Sequence, residues 1–149
     1  MMIIPDANVL IYAYDSTSPY HEKAKKWWED VLSAEEQIGV PWIVVLAYTR
    51  LMTHPTLCAQ PLTTVEVREN IQEWFDLSHV RLLSPTSTTL GLFFDLLADV
   101  GLGGNLTTDA MIAAHAIENR GTVFSSDHDF SRFQAIQWQN PIQSPQKNR

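Results

Sequence analysis

The stretch Val123-Phe124-Ser125-Ser126-Asp127-His128-Asp129-Phe130 decides the fold. A short apolar strand ends there in small hydroxyl side chains and then in two acids. Near the N-terminus, Ile3-Ile4-Pro5-Asp6-Ala7-Asn8 has the same form, and Thr107-Thr108-Asp109-Ala110 places a third acid where a helix should open. In a parallel α/β sheet the strands end along one edge, and ligands bind in the crevice outside it. The three acidic islands, far apart in sequence, are expected to meet there. Carboxylates gathered in one place suit a hard divalent cation.

Outward from these islands the chain alternates strands and helices. Strands are expected at residues 2–5, at Val80–Leu83, at Thr122–Ser125 and around Ile136–Trp138, while Gln37 to Val40 leads through Pro41 into an apolar run, 42–50, that suits a strand or, preferably, a buried helix. Val9 to Tyr14 continues as an apolar segment past Asp6; if extended, it points Asn8 to the same side as Asp6. A helix follows Ser18-Pro19, with Ala24, Trp27, Trp28, Val31 and Leu32 on one face. Another starts near Ile43 and ends before Pro55. Thr63 and Glu66 have the spacing of a capping box. The next helix starts near Ser87, turns Leu90, Phe93, Phe94, Leu97 and Val100 inward, and stops at Gly101. Thr108 is expected to cap a helix over 109–119, with Gly121 ending it. Strands alternating with helices predict a mainly parallel sheet covered on both faces.

The 149 residues are 45% hydrophobic and 18% charged, which fits one ordinary domain. Residues 1–140 are expected to form it, and 141–149, rich in Pro, Gln, Lys and Asn, a loose tail. No apolar run nears the roughly 20 residues that span a bilayer. The start does not read as a signal peptide. The single cysteine, Cys58, cannot form an intrachain disulfide, and a reducing cytoplasm fits it. A net charge of −7 argues against broad nucleic-acid binding through basic patches. It does not exclude a nuclease, because carboxylates loaded with metal act as a cationic site. There is no phosphate-binding glycine loop ending in Lys-Ser/Thr, no zinc-type His/Cys spacing and no Gly-x-Ser-x-Gly elbow.

Each acid also has an ordinary structural explanation. Asp6 and Asp127 could cap turns, and Asp109 complements a helix dipole. His128 should point away from the acids that flank it. Arg50 and His54 could contact phosphate. The order of the three islands is what these separate explanations leave unaccounted for.

In that order, with the residues around each Asp, the chain resembles the PIN-domain family, and particularly the VapC-type toxins of bacterial toxin–antitoxin pairs. The matching stretches are Pro5-Asp6-Ala7-Asn8-Val9-Leu10-Ile11-Tyr12, Thr108-Asp109-Ala110-Met111-Ile112-Ala113-Ala114, and Phe124 to Phe133 extended to Trp138-Gln139-Asn140-Pro141. The resemblance implies a three-layer α/β/α fold and a Mg²⁺- or Mn²⁺-dependent ribonuclease acting on RNA, with tRNA or rRNA as substrates. It implies Asp6, Asp109 and Asp127 as metal-site residues and Asp129 as an assisting acid. Asn8 and Ser125 would orient the carboxylates by hydrogen bonds. It also implies an antitoxin partner and a homodimer, with no membrane association. Four such carboxylates should repel one another without metal, so that some take up protons.

One departure stands out. The family usually carries a Glu near the start of the second segment's helix, and here Val45 to Ala47 is apolar. Asp95 or Asp99 could substitute, water could fill in, or activity could be lost. Two other readings stay open: a catalytically weakened binding module of the same fold, and another carboxylate-metal phosphohydrolase.

Overall fold

The computed structural model describes residues 1–101 and 103–143. Five strands form one sheet: β1 (Met2–Pro5), β2 (Ile38–Pro41), β3 (Val80–Leu83), β4 (Gly121–Phe124) and β5 (Gln137–Gln139). Their spatial order is β3-β2-β1-β4-β5, and every neighbouring pair is parallel. Six helices connect them: α1 (Ala7–Tyr14), α2 (His21–Ser33), α3 (Trp42–Met52), α4 (Thr64–Phe75), α5 (Ser87–Val100) and α6 (Thr107–Glu118). The chain steps from β1 to β3 in one direction and returns through β4 to β5. Right-handed crossovers therefore put α1–α4 on one face and α5–α6 on the other. This is the expected three-layer α/β/α architecture.

The strand order places β1 and β4 side by side at the centre, with Ile3 opposite Thr122 and Pro5 opposite Phe124. Both strands are buried along almost their whole length, which explains their unbroken apolar sequence. The aromatic core sits under the first helical layer. Trp74 is fully buried and meets Trp28 and Tyr48 edge-on, at centroid separations of 5.6 and 5.0 Å.

Several local expectations are met. Thr63 and Glu66 form both hydrogen bonds of the capping box, and Gly101 closes α5 in the left-handed region at φ 73°.

Others are corrected. Val9 to Tyr14 is not extended; it belongs to α1, because Asp6 caps that helix by accepting from Ala7 N–H. Thr108 does not cap α6. The helix begins at Thr107, two residues earlier than expected, after a 3₁₀ turn over Gly104–Leu106, and no side chain caps it. Gly121 does not end α6 either: Arg120 takes the left-handed turn at φ 52°, and Gly121 opens β4.

On α5, Leu90 and Phe94 are exposed, at 50% and 58%, whereas Phe93, Leu96 and Thr89 are buried. The apolar stripe is wider than the face that packs, and Thr89 takes an inward position because its hydroxyl donates to Glu118 on α6 at 2.7 Å. The domain also runs slightly past residue 140. Ile142 is buried, and its N–H donates to Asn140 Oδ1. The rest of the expected tail, 144–149, lies outside the described residues. Among the described residues no helix is long and apolar enough to cross a membrane.

Gly121 is required by close approach. A Cβ there would stand 2.8 Å from Ile4 Cδ1 and 2.9 Å from the Met2 carbonyl oxygen. Backbone in the middle of a sheet has little room to yield. Gly121→Ala is expected to destabilise the fold by about 1–3 kcal/mol, the usual range for overpacking, as read from urea denaturation. An unchanged midpoint would show that β1 and β4 are not packed this closely.

Candidate metal centre

The junction of β1 and β4 builds the site. Asp6 follows β1 directly, and its own N–H donates to Phe124 O across the ladder at 2.9 Å. Its side chain turns into a closed hydrogen-bond network. Oδ1 accepts from Ala7 N–H at 2.7 Å. Oδ2 accepts from the Ser125 hydroxyl at 2.7 Å and from Asn8 Nδ2 at 3.3 Å. Ser125 is fully buried, and its oxygen is saturated: it donates once and accepts from Asn8 Nδ2 and from Asp127 N–H. Asn8 Oδ1 accepts from Ser126 N–H. Asn8 thus hydrogen-bonds Asp6 from the first turn of α1 rather than from an extended strand.

Asp127 caps a short 3₁₀ turn, His128–Arg132, by accepting from Asp129 N–H at 2.9 Å. That turn folds Asp129 back toward Asp127. Asp109 enters from the first turn of α6. Each of Asp109, Asp127 and Asp129 offers a carboxylate oxygen, and the three oxygens lie within 4.8 Å of one another. Asp109 is buried; the other two are half-buried.

Asp6 stands beside this compact group rather than in it, near enough that its charge acts on Asp109. Asp95 and Asp99 are not part of the group; both are exposed on α5. His128 also stays out, with its ring edge-on to Trp138 at 5.4 Å. Arg50 lies in the last turn of α3, about 12 Å along the helix from Trp42. His54 Nδ1 is occupied by the N–H groups of Thr56 and Leu57. On α3, Val45 is buried and Leu46 is half-exposed, so no acid of that segment reaches the centre.

Electrostatics reflect the crowding. Burial is the largest cause raising the Asp109 carboxyl, to about 8, followed by the charges of Asp127 and Asp6. The dipole at the start of α6 should favour the ionised form, but burial and three neighbouring acids outweigh it. Asp6 is also raised, mainly by burial, although its hydrogen bonds from Ser125 and Ala7 pull the other way. Among the described residues the cation paired with this group is Arg132, 3.7 Å from Asp129 and exposed. Sequence reasoning gave Arg132 no role; its i, i+3 spacing from Asp129 was the available signal. An all-carboxylate donor set that is short of counter-charge fits a hard divalent cation.

These features define a class, α/β proteins with an acidic centre at the carboxyl edge of a parallel sheet. A PIN domain model matches residues 3–136. Ribonuclease VapC37 of Mycobacterium tuberculosis is 36% identical over 140 residues, which is 94% of this chain and 97% of that protein. Ribonuclease VapC33 of the same organism is 35% identical over 141 residues, covering 95% and 99%. Among solved structures, VapBC2 from Rickettsia felis bound to a DNA fragment from its promoter is similar with a TM-score of 0.68. That match is 18% identical and covers 94% of this chain and 98% of the other. The chain belongs to the PIN-domain family and groups with its VapC members.

Proton linkage gives a test. Between the ordinary 3.8 and about 8, Asp109 has lost its proton in the unfolded chain and keeps it in the folded one. The native state then binds more protons, so stability falls as pH rises through that window. Melting of EDTA-treated protein should therefore move down in temperature between about pH 5 and about pH 8. Asp109→Asn should flatten much of that slope, and a slope unchanged by the substitution would refute the assignment.

Proposed function

We propose that this protein is an endoribonuclease, the toxin of a toxin–antitoxin pair, and that it requires Mg²⁺ or Mn²⁺. The observation that carries the reading is the convergence of Asp109, Asp127 and Asp129 next to the hydrogen-bonded Asp6. Those acids would hold the ion, which when bound polarises a phosphodiester and lowers the pKa of coordinated water.

The chain's own residues do the rest. Ser125 and Asn8 fix the Asp6 carboxylate in one orientation. Asp127 is held in place through Asp129 N–H. Asp129 adds a third carboxylate to the group. Ser125 is excluded as a nucleophile, because its oxygen is buried and saturated. Hydrolysis by water, without a covalent enzyme intermediate, is the consistent route.

The relatives named ribonucleases support RNA as the substrate, and tRNA or rRNA are the natural candidates. Solved VapBC assemblies support a small antitoxin whose basic side chain could neutralise the acidic centre. The exposed Leu90 and Phe94 on α5 support a homodimer. The reading puts its action in the cytoplasm, where RNA and an antitoxin would be met.

Single-stranded RNA should be cut in Mn²⁺ or Mg²⁺ and spared in EDTA. Ser125→Ala should slow cutting by about 10- to 100-fold, the usual effect of removing a group that orients a ligand. Asp127→Asn should slow it further. Cutting by Asp127→Asn at the parental rate would sink the reading. A well-folded parent that cuts no RNA in any metal would favour the binding-module alternative, to which the apolar start of α3 points. Phe94→Glu should shift sedimentation from dimer to monomer; an unshifted dimer would place the interface elsewhere.

A further inference from the structure

A second concavity adjoins the acidic centre. It encloses ≈ 420 Å³ and is lined by Tyr12, Tyr20, Ser126, His128, Asn140 and Ile142, among others. That volume is within the range of small-ligand sites, about 300–1,000 Å³. Its inner wall is the loop that carries Asp127. Ser126 and His128 flank that acid in sequence, and Ser126 N–H is held by Asn8, which also holds Asp6.

The outer wall is aromatic and fixed. Tyr12 and Tyr20 have centroids 5.2 Å apart at 53°. Tyr20 is 46% exposed yet tied down: its N–H donates to Ser18 Oγ at 3.1 Å, and the adjacent His21 ring bonds Tyr12 O at 2.9 Å. On the far side His128 rests edge-on against Trp138.

The polar groups are of a particular kind. Asn140 Oδ1 is used by Ile142 N–H, while its Nδ2 donors have no partner among the described residues. The Tyr20 hydroxyl is likewise without one. Among the described residues the lining contains no Lys, Arg, Asp or Glu. A phosphate would find no Lys or Arg among them, whereas a flat uncharged heterocycle would find stacking surface and amide donors.

We infer that this pocket receives an unstacked nucleobase of the RNA, next to the phosphodiester held at the acidic centre. The inference rests on the ribonuclease reading and adds what selects the cut position. Stacking on an aromatic ring tolerates any base, so discrimination falls to the polar lining, and to Asn140 first, beside Ser126, His128 and Gln143.

The test separates the pocket from the reaction. Saturation-transfer NMR on the full chain in EDTA would use the four nucleoside 5′-monophosphates as probes. Base protons of at least one should receive saturation in the parent and in Asp109→Asn. The signal should fall about tenfold in Tyr20→Ala, the scale of one lost stacking contact. Asn140→Ala should reduce the difference among the four bases. Circular dichroism and thermal melting would establish that both variants are folded. No saturation from any nucleotide in the parent, or full saturation in folded Tyr20→Ala, would overturn the pocket. Sequencing of a cleaved randomised single-stranded RNA adds a second readout, in which Asn140→Ala should flatten the preference at one position while cutting continues. A parent that cuts no RNA would defeat the ribonuclease reading alone, leaving the binding result to decide the pocket.

Discussion

The Ser125 hydroxyl donating to Asp6 Oδ2 is the contact on which the centre depends. It joins the ends of the two central strands and satisfies a carboxylate that is otherwise buried. Leaving one partner of such a bond unsatisfied typically costs about 1–3 kcal/mol, more for a charged group. Because Ser125 also accepts from Asn8 and from Asp127 N–H, one oxygen sets the relative position of three site residues. The β1–β4 ladder fixes where Ser125 stands, so the geometry of the acids follows from strand register.

The same arrangement sets up opposing forces. Burial raises the Asp6 carboxyl against the pull of its hydrogen bonds, while burial and three other acids push Asp109 to about 8. Around Asp109 crowding dominates the helix dipole, and around Asp6 burial outweighs two good hydrogen bonds. The centre is therefore under electrostatic tension in the metal-free chain. Arg132 relieves only the outermost acid, from an exposed position where screening weakens the pair.

Much of this was legible in the sequence, because the acids sit at strand ends and helix starts. Strands alternating with helices were enough to predict a parallel sheet covered on both faces, though not its strand order, and Asp6, Asp109, Asp127 and Asp129 were picked out by their flanking residues. The unread parts have physical reasons. Asn8 was assigned the right neighbour through the wrong backbone, since nothing local distinguishes a capped helix from an extended continuation at Val9–Tyr14. Gly121 looked like a helix stop because its true constraint is the Met2 carbonyl, which comes from another strand. Leu90 and Phe94 looked internal because hydrophobic spacing does not say which part of a wide stripe meets α6. The pocket beneath Tyr20 draws on α1, the start of α2 and the residues after β4 and β5, and no short-range pattern links them.

The pairing of β1 with β4 has a consequence for how the molecule comes into being. The Ser125–Asp6 contact spans 119 positions, so its formation requires closure of nearly the whole chain, and contacts of such long range form slowly. β1 can pair early with β2, whereas its other edge waits for the last quarter of the polypeptide. The acidic residues therefore stay scattered on any partial chain and come together only at the end. Their mutual repulsion then opposes the final closing step, and a cation available at that moment would favour it. The centre is thus a product of completed folding and cannot exist on a fragment lacking β4.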